Sequence, residues 1–132
     1  MEKPFDRWNI IKKATDATSD QGRLYFREGE IWWVRLGKNI GYETDGKSAE
    51  FTRPVIILKK YNHFSFLALP LTTVQKPNPY RLPIGMVAGQ PAFAILSQLR
   101  NIDSKRLVKK IARLESDILD TIKKETSRVN FG

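Results

Sequence analysis

Short runs of aromatic and β-branched residues dominate the middle of the chain. Runs of this composition, bounded by glycine, proline and polar turns, are typical of β-strands. They cover residues 30–36, 55–58, 64–69 and 92–96. The second and third runs are almost continuously apolar, which predicts buried strands joined by a hairpin connection over residues 59–63.

Two stretches interrupt this pattern. Residues 38–52 hold glycines and several charged residues, and they predict a long exposed loop of the kind that often carries function. Pro77, Pro79 and Pro83 lie between the third and fourth runs. Because proline has no N–H to donate to a central ladder, we expect edge strands or irregular structure there.

Helical spacing marks the amino-terminal segment. The residues at this spacing, which would share one side of a helix, are Phe5, Trp8, Ile11 and Thr15. This spacing predicts an amphipathic helix over residues 5–18, followed by a polar, turn-like stretch over 16–22. We therefore expect an amino-terminal helical extension, 1–27, attached to a main domain, 28–132.

The carboxy-terminal part predicts two further helices. Asp103 or Ser104 is a suitable cap for a short basic helix that runs through Ile111, and Ser116 for a final helix. The final helix carries apolar residues on one face: Ile118, Leu119, Ile122 and Val129. About five short strands with added helices predict a mainly β fold, a small and partly open β-barrel.

The amino-acid composition excludes several classes of protein and of functional site. The chain has 132 residues, of which 41% are hydrophobic and 28% charged, and this fits one soluble domain with a single core. With no cysteine and one histidine, it offers no thiol nucleophile, disulfide scaffold or iron-sulfur site, and little zinc chemistry. The sequence starts without a signal peptide and holds no run of about 20 apolar residues, so we expect a cytoplasmic protein without membrane contact.

The charge is basic and unevenly distributed. The formal net charge is +9, and residues 51–113 hold eleven basic side chains against one acid, Asp103. Lysine and arginine gathered on one surface attract polyanions, which indicates a nucleic acid or an acidic protein tail as partner. A basic surface kept for solubility is the alternative.

Several segments together resemble the MazF/PemK toxin family, in order and with family-like spacing over about residues 28–122. They are GEIWWV at 29–34, GYE at 41–43, RPVIIL at 53–58, PLTT at 70–73, ILSQLRNID at 95–103 and KRL at 105–107. The resemblance implies the toxin of a type II toxin-antitoxin system on an SH3-like barrel of the MazF/CcdB type. It also implies a homodimer, silenced by an antitoxin whose acidic tail covers the RNA groove, with DNA reached only through that antitoxin.

The activity implied by the resemblance is that of a sequence-specific, ribosome-independent endoribonuclease that needs no metal or other cofactor. Such enzymes cleave single-stranded RNA to 2′,3′-cyclic phosphate and 5′-hydroxyl ends. The family's key arginine falls on Arg53, and its strand-end hydroxyl residue falls on Thr72. Because the RNA supplies its own 2′-hydroxyl as nucleophile, the protein must provide alignment, proton transfer and positive charge.

Further candidates follow from the same resemblance. Glu43 could accept the 2′-hydroxyl proton or bind a base, and Tyr42 could stack on an unpaired base. Lys47, Thr73 and Gln98 are additional candidates for RNA contact or catalysis.

The chain also departs from the family pattern. One branch uses an arginine and an aspartate as catalysts in the strand where this chain has Ile95 and Ser97. Two other functions therefore stay open: a non-catalytic module that binds RNA or a protein partner, and a CcdB-like gyrase poison on the same barrel. His63 and the alternating pair Trp32 and Trp33 are expected to have structural roles.

Overall fold

The computed structural model describes residues 23–37, 52–76 and 78–132. In this part the chain forms seven strands, a short 3-10 helix at Ser104–Arg106 and one α-helix. The elements are β1 Glu30–Arg35, β2 Thr52–Lys60, β3 Ser65–Thr72, β4 Arg81–Val87, β5 Gln90–Ile95, β6 Arg100–Asp103, β7 Leu107–Arg113 and α1 Ser116–Phe131. The helix expected over 5–18 and the loop expected over 38–52, apart from Thr52, lie outside the described residues.

The strands form one curled antiparallel sheet in the order β4-β5-β3-β2-β1-β7, with β6 paired to β3. β3 is shared between partners: Ser65–Ala68 pairs with β6, while Leu71 and Thr72 pair with Ala94 and Phe93 of β5. The sheet curls into a half-barrel with β4 and β7 as its terminal strands. This confirms the expected mainly β, partly open barrel with a carboxy-terminal helix.

The sheet is buried on both faces, which explains why β2 is so apolar. Ile56 and Leu58 pack into one cluster with Ile122 of α1. Val55 and Ile57, which alternate with them, pack into a second cluster. That second cluster also contains Phe26, Trp32, Val34, Phe66, Ile102 and Leu107.

The helix expected up to Ile111 is wrong. Asp103 does cap a helical turn, accepting a hydrogen bond from the Lys105 N–H at 2.8 Å, but the turn ends at Arg106. Residues 107–113 instead form β7, which pairs with β1. An isolated helix of eight residues is only marginally stable. A strand here instead pairs with the backbone N–H and C=O groups at the outer edge of β1 and places Leu107 in the core.

α1 packs its predicted apolar face against the sheet, with Ile122 fully buried and Leu119 and Val129 partly buried. Ile118 lies at the margin of that face and is 37% exposed. The expected Ser116 cap is wrong by one residue: Glu115 is the cap, and its side chain makes no capping bond. No helix in the described part of the chain is long and apolar enough to cross a lipid bilayer.

The connection between β2 and β3 is the expected hairpin, and His63 lies exposed in it. Its ring packs against Phe64, with ring centroids 3.9 Å apart. The Asn62 carboxamide oxygen accepts hydrogen bonds from the backbone N–H groups of Phe64 and Ser65. The prediction of a structural turn position for His63 is confirmed.

Glu30 is a buried carboxylate at the start of β1, only 4% exposed. One oxygen accepts hydrogen bonds from the Arg27 N–H at 2.7 Å and from Trp32 Nε1 at 3.0 Å. The other oxygen lies 2.9 Å from Lys110 Nζ on β7. Burial alone would raise the pKa of Glu30, but these bonds and the Lys110 charge together hold it below the ordinary value of 4.5.

A carboxyl group whose pKa is lowered by folding stabilises the protein above its unfolded pKa, and this stability is lost as the pH falls through the folded pKa. We therefore expect Glu30→Gln to lower the free energy of unfolding at neutral pH by about 1 to 3 kcal/mol, the range for hydrogen bonds to a charged group. We also expect the variant to lose less stability than the wild type as the pH falls below 4.5. Urea unfolding between neutral and acidic pH measures both, with Glu115→Gln as an exposed control; an equal acid slope in wild type and Glu30→Gln would contradict the assignment.

The hairpin between β4 and β5 has a strained tip. Val87 and Gln90 are the last paired residues, and the two between them have positive φ: 51° for Ala88 and 78° for Gly89. Positive φ at both central residues is characteristic of the type I′ turn, which matches the twist of the flanking strands. Glycine adopts this conformation readily, but alanine pays a steric penalty for it.

We expect Ala88→Asn to raise the free energy of unfolding by about 0.5 to 1 kcal/mol, because asparagine tolerates left-handed backbone better than alanine. Gly89→Ala should lower it by a similar or larger amount. A Cβ at residue 89 would meet no atom within 4 Å, so that loss would be purely conformational. Urea unfolding of the two variants provides the check; effects of the same sign would contradict the strain argument.

Candidate functional site

A cavity of about 450 Å³ opens where the start of β2, the end of β3 and the β4–β5 hairpin meet. It brings together Arg53, Thr72 and Thr73, three of the residues that the sequence singled out. The remaining described lining residues are Trp33, Thr52, Pro54, Leu71, Val87, Ala88, Gln90, Ala92 and Ile111. The cavity is therefore polar at the strand ends and apolar over most of its wall.

Arg53 lies just outside the part of β2 that pairs with β3. The pairing of β2 with β3 ends at Val55 and Pro70, and the following residues of β3 pair with β5. Arg53 is 8% exposed, and its Nη1 donates a hydrogen bond to the Leu71 carbonyl at 3.1 Å. Strand β2 begins at Thr52 and not at residue 55 as expected, so the guanidinium is anchored on a strand.

Thr72 is the last residue of β3 and is 6% exposed. Its Oγ1 accepts a hydrogen bond from the Val74 N–H at 3.2 Å, which fixes the chain as it leaves the strand. A hydroxyl that accepts one hydrogen bond still carries its own proton. Thr73 follows, exposed, at the cavity lining.

Trp33 is the aromatic residue among the described lining residues. Trp32 lies in the core and Trp33 is half-buried at the cavity, so the two tryptophans face opposite sides of β1, as expected. Pro54 of β2 is the cross-strand partner of Trp33, and Lys109 of β7 is its partner on the other side. The sequence did not assign Trp33 or Gln90 to this site. Trp33 belongs to the GEIWWV motif, which could have drawn attention to it, but no signal in the sequence predicts that the hairpin of Gln90 lies near Trp33.

The charge that lines the cavity is positive. Among the described lining residues, Arg53 is the only one that is charged. Lys109 is exposed beside Trp33, whereas the neighbouring Lys110 is paired with Glu30. In the described part of the chain, no group of three or more histidine, aspartate or glutamate side chains is placed to hold a metal ion.

Of the other candidates, only Gln98 lies in the described part of the chain. Gln98 lies in the turn after β5, where its N–H donates to the Ile95 carbonyl at 3.1 Å, and it is not among the lining residues. Strand β5 ends at Ile95, so Gln98 lies beyond it. Tyr42, Glu43 and Lys47 lie outside the described residues.

Comparison with solved structures shows the same fold in known toxins. MazF from Deinococcus radiodurans superposes with a TM-score of 0.67 at 21% identity, over 80% of this chain and 97% of that one. The MazE-MazF complex from the same organism gives 0.59 at 18% identity, over 80% and 96%. An endoribonuclease from a mycobacterial species, solved with its cognate antitoxin, gives 0.59 at 12% identity, over 82% and 98%.

Comparison with curated proteins found no match to this chain. A family model, described as PemK-like, MazF-like toxin of type II toxin-antitoxin system, matches residues 27–129. That match covers all seven strands and most of α1, and it includes the lining residues of the cavity. The chain therefore belongs to the PemK-like, MazF-like toxins of type II toxin-antitoxin systems.

Proposed function

We propose that this toxin is a sequence-specific, ribosome-independent endoribonuclease that cleaves single-stranded RNA without a metal ion. The observation that carries the proposal is the convergence of Arg53 and Thr72, from different strands, on one cavity with an apolar wall. A positive charge beside a hydroxyl suits a phosphodiester, and an apolar wall suits an adjoining base.

Cleavage would start from the 2′-hydroxyl of the RNA, which attacks the adjacent phosphorus. The P–O5′ bond breaks as the new P–O2′ bond forms, leaving a 2′,3′-cyclic phosphate and a 5′-hydroxyl that has taken up a proton. Negative charge builds on the phosphorane oxygens between these events. Arg53 is the group placed to stabilise it, because a charge held by the fold needs no reorganisation during the reaction.

Thr72 would hold the 2′-oxygen or a phosphate oxygen through its hydroxyl, with Thr73 as a second hydroxyl at the same end of the cavity. Arginine stays protonated at any physiological pH, so Arg53 acts electrostatically in this scheme. We propose Glu43 as the group that accepts the 2′-hydroxyl proton. Tyr42, Lys47 and Gln98 are proposed to contact the RNA.

The proposal extends to partners. Solved relatives include a MazE-MazF complex and an endoribonuclease bound to its cognate antitoxin. Together with the basic character of residues 51–113, this supports a cognate antitoxin with an acidic tail that competes with RNA. We further propose a cytoplasmic homodimer whose toxin domain is residues 28–132, with residues 1–27 as a separate extension.

Replacing Arg53 or Thr72 should abolish most of the cleavage. We expect Arg53→Ala to slow cleavage about a hundredfold or more, the usual loss when one donor to a developing oxyanion is removed. Thr72→Val, which keeps the shape and removes the hydroxyl, should also slow it. The measurement is cleavage of a long unstructured RNA in the presence of a chelator, with the cut positions and end chemistry mapped.

Because Arg53 is buried, its variants need a folding control. Arg53→Lys keeps the charge and loses the planar fork, and thermal unfolding of each variant shows whether the fold survives. Full activity in a folded Arg53→Ala protein would remove Arg53 from the mechanism. A folded wild type that binds but does not cut a diverse RNA pool would indicate a binding module, and gyrase inhibition by that protein would indicate a poison.

Lys109 should contribute to RNA binding without reading sequence, since it is exposed on β7 next to Trp33. We expect Lys109→Ala to weaken binding equally for all RNA sequences and to lower the salt slope of log K by about 1, as for the loss of a single phosphate contact. The matched control is Lys59→Ala, an exposed lysine on β2 six residues beyond Arg53, about 20 Å along the strand.

Titration of a non-cleavable RNA at several salt concentrations distinguishes the two lysines. An unchanged salt slope in Lys109→Ala, or an equal change in Lys59→Ala, would contradict a specific phosphate contact at Lys109.

A further inference from the structure

The tip of the β4–β5 hairpin forms part of the cavity lining, through Val87, Ala88 and Gln90. Ala88 is the one described non-glycine residue with positive φ. Backbone strain of this kind persists where the surroundings hold it, and it is concentrated at functional sites. Asparagine or glycine is the common residue at this turn position, so alanine keeps this part of the lining apolar at a cost in stability.

Gln90, unlike the apolar Ala88, offers polar groups to the cavity. Its side chain is exposed, and its amide makes no hydrogen bond to a described residue, although its backbone closes the hairpin with Val87. An amide offers an N–H donor and a carbonyl acceptor side by side, which is the pattern that pairs with the edge of a nucleobase.

Trp33 supplies a flat surface in the same cavity. It is half-buried between its cross-strand neighbours Pro54 and Lys109, and its indole N–H makes no hydrogen bond to a described residue. Unpaired bases stack on aromatic rings of this kind in single-stranded RNA complexes. Because Arg53 lines the same cavity, a base lying here would belong to a nucleotide beside the phosphate that Arg53 contacts.

We propose that this cavity is the subsite for one base flanking the scissile phosphate, with Trp33 as the stacking surface and Gln90 as the residue that reads the base edge. The inference rests on the proposed ribonuclease function and adds to it a specificity determinant on the β4–β5 hairpin. The hairpin tip sets sequence preference, and the strand ends at Arg53 and Thr72 carry out the chemistry.

The first experiment compares cut-site preferences over a random RNA pool for the wild type, Gln90→Glu and Gln75→Glu. Gln75 is an exposed glutamine outside the described lining, and the same charge change there serves as the control. A carboxylate only accepts hydrogen bonds, so Gln90→Glu should shift the preference at one flanking position towards bases that carry an amino donor, namely cytosine, adenine or guanine, and away from uracil, which has none. Gln75→Glu should leave the preference unchanged.

The second experiment tests stacking with the full-length protein and a short RNA that carries an abasic nucleotide on either side of the cut. Trp33→Leu should lower kcat/KM by about 10- to 100-fold, mainly through KM, while Trp33→Phe should restore most of it. On one side of the cut, removing the base should cost the wild type a similar factor and should cost Trp33→Leu almost nothing, because the two changes delete the same contact.

The outcomes separate the inference from the function it rests on. A wild type that cleaves no RNA overturns the proposed ribonuclease function and the subsite with it. A wild type that cleaves, with Gln90→Glu keeping the wild-type preference at both flanks and the abasic penalty unchanged in Trp33→Leu, overturns the subsite alone.

Discussion

The structure depends on one feature of the sheet, the way in which β3 pairs with different strands along its length. Up to Pro70, β3 pairs with β2, and from Leu71 it pairs with β5. The first three residues of β2 therefore lie beyond its pairing with β3, and Arg53 reaches the Leu71 carbonyl with its side chain. A cavity of about 450 Å³ opens at this place, lined by Arg53 and Pro54 of β2 and by Leu71 and Thr72 of β3.

Burial on both faces of the sheet explains why the polar groups lie at strand ends. Residues 55–58 of β2 fill two hydrophobic clusters on opposite faces, so a charge in the middle of that strand would be buried without water. At the ends, Arg53 and Thr72 are still nearly buried, yet each has a backbone partner and a cavity beside it. A buried charge held this way is fixed in position before any ligand arrives, which is what electrostatic catalysis requires.

Two acidic residues of the described domain, Glu30 and Asp103, are paired with basic side chains of the fold. Glu30 binds Lys110 and Trp32, and Asp103 binds Arg23, whose Nη1 also reaches the Ser104 hydroxyl. In both cases burial opposes ionisation, while the hydrogen bonds keep the carboxyl pKa below its usual range. These pairs tie β1 to β7 and the start of the described chain to the end of β6, so their charge is neutralised locally, whereas Lys109 lies exposed beside Trp33.

Local pattern was enough to determine much of this protein. The apolar runs predicted β1, β2, β3 and β5, and the helical spacing predicted the packed face of α1. The resemblance of the RPVIIL and PLTT segments to the toxin family singled out Arg53 and Thr72. The sequence pattern predicted the wrong structure for residues 107–111, a basic stretch that was expected to be helical. These residues belong to β7, because the open edge of β1 offers backbone hydrogen bonds to a strand, whereas a short isolated helix is only marginally stable. The pattern was also silent on Trp33 and Gln90 as neighbours, since 57 residues separate them in the chain. They line one cavity only because the curled sheet brings the β4–β5 hairpin and the start of β2 to the same place, and such long-range closure is decided by tertiary packing.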